Sequence, residues 1–179
     1  MNNWGEIKKL AIVEADDFQD KYDRNGLEML FYWKAKYPKF KITLFTIPNK
    51  VSNNLLDLLS GWDEPWIEFA IHGFDHDSNY ECWGWDYDKA TALMERTRRR
   101  LYFYPCFKAP GWTITDKYSG YNADPTLPVA KDPQAVYRTL KDLDFIVFDR
   151  HYDKPARPEG AKIVCVDCNP DIVHMHTWD

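Results

Sequence analysis

Residues 8–17 read Lys-Lys-Leu-Ala-Ile-Val-Glu-Ala-Asp-Asp, and the pattern of that stretch decides the fold. Residues 8–15 form a strand of the buried type, rich in Leu, Ile and Val, as parallel sheets require. Two carboxylates, Asp16 and Asp17, close it. Outward from there, short apolar runs alternate with longer amphipathic stretches. Residues 25–37 carry Leu27, Leu30, Phe31 and Ala35 at helical spacing and stop at Pro38. Residues 41–47 are a second strand, closed by Pro48. Residues 52–59 are a short helix, with Ser52 or Asn53 as cap and Gly61 beyond its end. Residues 66–71 are a third strand. Residues 86–103 are the longest helix, with Ala90, Leu93, Met94, Thr97 and Leu101 on one face. Residues 106–109 make a fourth short strand and residues 133–143 a helix. Residues 145–148, 162–166 and 172–176 bring the strand count to about seven. The aperiodic stretch 110–132 between them is a long loop, of the kind usually tied to function or mobility. Alternation of strand and helix favours a parallel sheet with helices outside it. So many strands in so short a chain point to a single-domain α/β fold, a small, irregular barrel, over residues 1–179. An open doubly wound sheet is the alternative.

Composition narrows the function. The 179 residues are 45% hydrophobic and 28% charged, which excludes a disordered chain and a membrane protein. The formal net charge of −5 argues against a nucleic-acid partner, which needs a basic face. The one basic run, Arg96 to Arg100, reads as a solvated helix face near a C-terminal end. No apolar run approaches the ~20 residues of a membrane span. Residues 1–10 lack a signal-peptide pattern, so a soluble, cytoplasmic protein with no membrane partner is expected. Aromatics reach 16%, enough to fill a core, line a pocket, or both. Oligomeric state is not legible. Cys165 and Cys168 have a C-x-x-C spacing, but Cys82 and Cys106 are too far apart to complete a zinc knuckle. The pair follows a strand and not a helix start, so free thiols are expected over a redox site.

Parallel α/β folds build their sites at the carboxyl ends of strands. Four polar clusters fall there: Asp16-Asp17, His72-Gly-Phe-Asp-His76, Lys108-Ala-Pro-Gly-Trp112 and His174-Met-His176. One carboxylate and two imidazoles are a common set for a catalytic divalent metal, leaving a position open. Gly73 and the strand before it argue that His72 and His76 share a turn and not a helix face. Neighbouring strand residues point to opposite sides. One of Asp16 and Asp17 can therefore hold a metal while the other reaches a water, provided the strand bends there. Alone, each cluster has a blander reading, as surface histidines or an Asp turn; together they favour a metal site.

In this order the clusters resemble the polysaccharide deacetylase superfamily (NodB homology, carbohydrate esterase family 4), over residues 13–176. The resemblance implies a distorted seven-stranded (β/α) barrel and a metal-dependent hydrolase that removes N- or O-acetyl groups from a carbohydrate substrate. It makes Asp16 the catalytic base and Asp17, His72 and His76 the metal ligands. Zn2+ is the default ion, with Co2+ or Ni2+ fitting the same donors. It gives the acid role to His176, with His174 in place of a leucine; His174, on the same side of the strand, is the alternative acid. Lys108 replaces an arginine that orients the base, without that residue's bidentate fork. Gly111 replaces an aromatic residue but keeps an N–H for an oxyanion, and Trp112 supplies an aromatic wall. Asp149 is expected to pair with Lys108. Rings in polar loops, Trp85 and Tyr118 among them, are expected to contact substrate, with Tyr80, Trp83, Tyr121 and Trp178 as further candidates. Rival readings are a hydrolase of a non-sugar acyl amide or cyclic imide, a glycan-binding relative without turnover, and a redox protein built on Cys165 and Cys168.

Overall fold

A computed structural model describes residues 12–60, 65–100, 102–112, 114, 132, 134–150, 158–166 and 172–176. Among these residues seven strands are present: β1 (Ile12–Phe18), β2 (Ile42–Thr46), β3 (Ile67–His72), β4 (Phe103–Lys108), β5 (Ile146–Asp149), β6 (Lys162–Cys165) and β7 (Ile172–His176). The α-helices are α1 (Asp23–Lys36), α2 (Asn53–Ser60), α3 (Tyr87–Arg98) and α4 (Ala135–Asp142). Every strand pair is parallel, and the order is β6-β5-β4-β3-β2-β1-β7. Strands follow one another without the reversal that defines a doubly wound sheet, and the last lies beside the first. That is barrel order, and the molecule is a distorted, curled (β/α) barrel. No ladder joins β6 to β7 among the described residues.

The sheet interior accounts for the apolar runs. Leu44, Phe45, Ala70, Ile71 and Phe107 are fully buried, and β2 and β3 lose the alternation of a half-exposed strand. Ala90, Met94 and Thr97 bury one face of α3. Asp86 caps that helix, its carboxylate accepting from Lys89 N at 2.8 Å. No helix among the described residues is long and apolar enough to cross a membrane.

Four expectations need correction. Phe31 and Ala35, grouped with Leu27 and Leu30 by helical spacing, are exposed; Leu30 is the residue of that set that is buried. The long helix ends at Arg98, and β4 begins at Phe103 and not Cys106. Pro105 lacks the N–H a ladder needs, and the β3–β4 register is irregular around it, which masks the strand start in the sequence. Arg100 is not a solvated cation. Its guanidinium donates to the carbonyls of Pro48 (2.5 Å) and Val51 (2.9 Å) and to Asn53 Oδ1, tying the end of α3 to the loop before α2. Finally, Cys82 and Cys106 are free, but Cys165 is disulfide-bonded, to a partner outside the described residues.

Candidate functional site

The bend required of β1 is present. Glu14 and Ala15 pair with Thr43 and Leu44, then the register slips before Phe18 meets Thr46. Asp17 stands at the slip with φ of 65°, a left-handed conformation that Asp tolerates better than most residues. The bulge lets adjacent carboxylates serve separate purposes, and both are buried.

Asp17 turns toward the histidines. Its Oδ1 lies 2.9 Å from His76 Nε2 and 3.5 Å from His72 Nε2. The two imidazole centroids are 4.9 Å apart. One donor atom from each of the three residues falls within 4.8 Å of the others, the spacing a single ion needs. Second contacts orient the donors. His72 Nδ1–H donates to the Lys108 carbonyl at 3.0 Å, so Nε2 presents its lone pair toward Asp17. Burial holds the His72 imidazole below its ordinary pKa, against the pull of Asp16 and Asp17, which suits a neutral ligand. For His76, burial acts downward, but the hydrogen bond and charge of Asp17 outweigh it and raise the pKa. Two imidazoles and a carboxylate, with His72 oriented by the Lys108 carbonyl, fit a divalent cation.

The turn carrying His76 is organised by Glu81, a residue that no motif or spacing marks out. Its carboxylate accepts from the backbone N–H groups of Phe74 (3.0 Å), Asp75 (2.8 Å) and His76 (3.0 Å). Gly73 has φ of +64°, and a Cβ there would overlap the Glu81 carboxylate and lie 2.6 Å from Pro110 Cγ.

Asp16 faces the other way, into a buried ionic cluster. Lys108 Nζ donates to Asp16 Oδ1 at 2.8 Å and to Glu14 Oε1 at 2.7 Å, and lies 3.5 Å from His174 Nδ1. The ammonium also sits 4.1 Å from the Phe45 ring centroid and 4.8 Å from that of Trp112. Burial alone raises the Asp16 pKa; the charges of Lys108, His72 and His174 outweigh it and hold the carboxyl below its ordinary value. Inside a run of Ile, Val and Ala, Glu14 reads as part of the strand, and nothing in the sequence marks its partners.

Asp149 does not pair with Lys108. It accepts from the Tyr137 hydroxyl at 2.5 Å and from Arg150 N at 2.8 Å. Lys108 is in register with Phe148, so Asp149, one residue on, faces the opposite side of β5. Trp85 is no substrate platform: it is 4% exposed and packs in the core near the Phe107 ring, 6.4 Å between centroids. Trp112 does border the cluster, with its ring 5.6 Å from that of His174. Gly111 precedes it with φ of 56°, and a Cβ there would come within 2.6 Å of Asn79 Cβ. Tyr80 and Trp83 are half-buried. Tyr118, Tyr121 and Trp178 lie outside the described residues. His176 pairs through its backbone with Asp16, as His174 does with Glu14; the His176 side chain also lies outside the description.

Fold and site together define a distorted (β/α) barrel with a candidate metal trio at the carboxyl ends of β1 and β3. Among solved structures, the chain is similar to the Xyl-CE4 domain of a multidomain xylanase from the hindgut metagenome of Trinervitermes trinervoides, known from its crystal structure. The match has a TM-score of 0.52 and covers 94% of this chain and 73% of that one, at 13% identity. At that identity the likeness is one of fold. No protein-family model and no curated protein matches the chain.

Proposed function

We propose that the protein is a metal-dependent hydrolase that removes an acetyl group from an N- or O-acetylated sugar or polysaccharide. The observation that carries this reading is the pairing of the Asp17–His72–His76 trio with a second carboxylate, Asp16, one residue away and facing a buried lysine. Zn2+ is the first choice of ion, with Co2+ or Ni2+ as alternatives; bound there, it would polarise the acyl oxygen and acidify a water.

The chain's own groups do the rest. Asp16, kept ionised by Lys108, takes a proton from the attacking water. Lys108 holds Asp16 in place and, being spent on two carboxylates, is not itself a base. The Gly111 N–H donates to the developing oxyanion, a role worth about 3 kcal/mol in comparable sites. A histidine of β7, His174 or His176, returns a proton to the leaving group. Trp112 offers a ring edge beside the site for the sugar face.

The test is acetate release from N-acetylated sugar oligomers by metal-loaded protein, together with metal analysis of wild type and Asp17→Ala. Metal bound at one equivalent, lost in the variant, with acetate released only by the wild type, is the expected result. A wild type that binds no divalent metal ends this reading. The polar His174 ring beside Trp112 favours a second one, hydrolysis of a non-sugar acyl amide or cyclic imide; a panel of such amides without acetate release from sugars would select it.

A further inference from the structure

The basic run at the end of α3 holds a feature that the reading above leaves unused. Arg96 and Arg100, four residues apart, line one cavity of about 260 Å³. It lies between the end of α3, the β2–α2 loop (Pro48, Asn49, Val51) and Phe74 of the turn that carries His76. No Asp or Glu lines it. Thr97 also borders it, but its hydroxyl is given to the Leu93 carbonyl at 3.0 Å.

Arg100 is locked in place. Four of its five N–H groups donate to the Pro48 and Val51 carbonyls and to Asn53 Oδ1, which takes two. All of these acceptors are neutral. Burial holds the guanidinium pKa below its ordinary value, against the upward pull of Tyr102 and Asp20. Arg96 is held differently. Its guanidinium lies 5.2 Å from the Phe74 ring centroid, and it has no hydrogen bond or ion pair among the described residues. The arginines between them are turned elsewhere. Arg98 donates to the Leu143 carbonyl at 3.3 Å, and Arg99 lies 3.9 Å from Glu95.

Like charges four residues apart on a helix repel, and a counter-charge between them relieves that repulsion. A guanidinium fork matches the oxygens of a phosphate, and stacking on a ring leaves its edge N–H groups free to donate. A phosphate monoester carries about −1.5 to −2 charges at pH 7, enough to balance both arginines, where a carboxylate carries one. Asn49 adds a neutral donor: its amide gives one N–H to Asp75 Oδ1 and has a second. Phe74, Pro48 and Val51 supply an apolar wall. The volume falls below the roughly 300–1,000 Å³ of drug-sized sites, which keeps the ligand small.

We propose that this cavity binds a phosphate group, as the free ion or carried by a small molecule, with Arg96 and Arg100 as its cationic contacts. The site shares no side chain with the Asp17–His72–His76 trio and stands whether or not the hydrolase reading does.

The test is isothermal titration of the full chain with inorganic phosphate and with glucose 6-phosphate. Wild type, Arg96→Gln, Arg100→Gln and Arg99→Gln are each titrated as purified and after chelation, because an anion held by a metal would be lost with it. Wild type is expected to bind one equivalent in both states. Arg96→Gln removes no hydrogen bond within the described residues, and it is expected to weaken binding by about 10–100-fold, as loss of a charge-assisted contact does. Arg99→Gln takes the same charge from the same run and should leave the affinity nearly unchanged. Arg100→Gln should behave as Arg96→Gln does; if it does not fold, Arg96→Gln against Arg99→Gln decides alone. Tighter binding of the sugar phosphate assigns the cavity to an organic phosphate, and equal binding assigns it to the free ion; either supports the proposal. No binding by the wild type, binding that vanishes on chelation, or equal losses in Arg96→Gln and Arg99→Gln overturns it. None of these outcomes touches acetate release, so the hydrolase reading is judged separately.

Discussion

Lys108 holds an ammonium out of reach of solvent, between the Glu14 and Asp16 carboxylates and against the Phe45 ring. Taking away one partner of a buried ion pair leaves the others uncompensated, at a cost of about 3–5 kcal/mol. Lys108→Met should therefore lower the unfolding free energy by that order, measured by urea titration, whether or not metal is present. A second consequence concerns reactivity. Burial, with a smaller push from Glu68, raises the Cys106 thiol to about 11. Only the thiolate is nucleophilic, so alkylation of the folded protein should be slow at pH 8 and rise roughly tenfold per pH unit toward 11. A flat rate between pH 8 and 10 would contradict that environment. Chemistry-bearing side chains were legible where they end an apolar run, as Asp16, Asp17, His72 and Lys108 do. Glu14 was hidden because burial inside a strand leaves no trace of what a side chain touches. Trp85 misled for the opposite reason: a ring within a polar segment can still fold inward.

The turn from His72 to His76 works as a unit. Three successive backbone N–H groups converge on the Glu81 carboxylate, and Gly73 supplies the left-handed step that lets them do so. Groups that orient metal ligands from behind commonly change affinity by about 10–100-fold when removed. Glu81→Ala should weaken metal binding by that factor in a chelator-competition titration, while far-UV circular dichroism stays that of the wild type. Unchanged affinity would mean that His76 is held by Asp17 alone. Such a nest cannot be read from spacing, because its donors are backbone groups and its acceptor is one glutamate among many. β4 shows the same limit: Phe103, its first residue, reads as the end of a helix until the neighbouring strand supplies the register.

Across the molecule, the parallel sheet was legible because apolar runs and helical stretches alternate; the strand order was not, because a barrel and a doubly wound sheet share that alternation. The candidate metal trio joins β1 to the end of β3, so an ion bound there would tie two strands together. Binding to the folded state alone adds RT ln(1 + [L]/Kd), about 2.7 kcal/mol at a hundredfold excess over Kd. Chelation should lower Tm, and readdition of Zn2+ should restore it; a Tm indifferent to both would argue against a bound ion.

The place of β1, between β2 and β7, also has a meaning in time. Asp17, His72 and His76 lie within the first 76 residues, whereas His174 arrives about 100 residues later. At ~5–20 residues per second, synthesis separates the two events by roughly 5–20 s. For that interval the nascent chain already owns every donor for a cation but lacks the imidazole that completes the buried cluster. The three donors of the candidate trio are thus made first, and the buried cluster around Lys108 closes only when the strand carrying His174 is added.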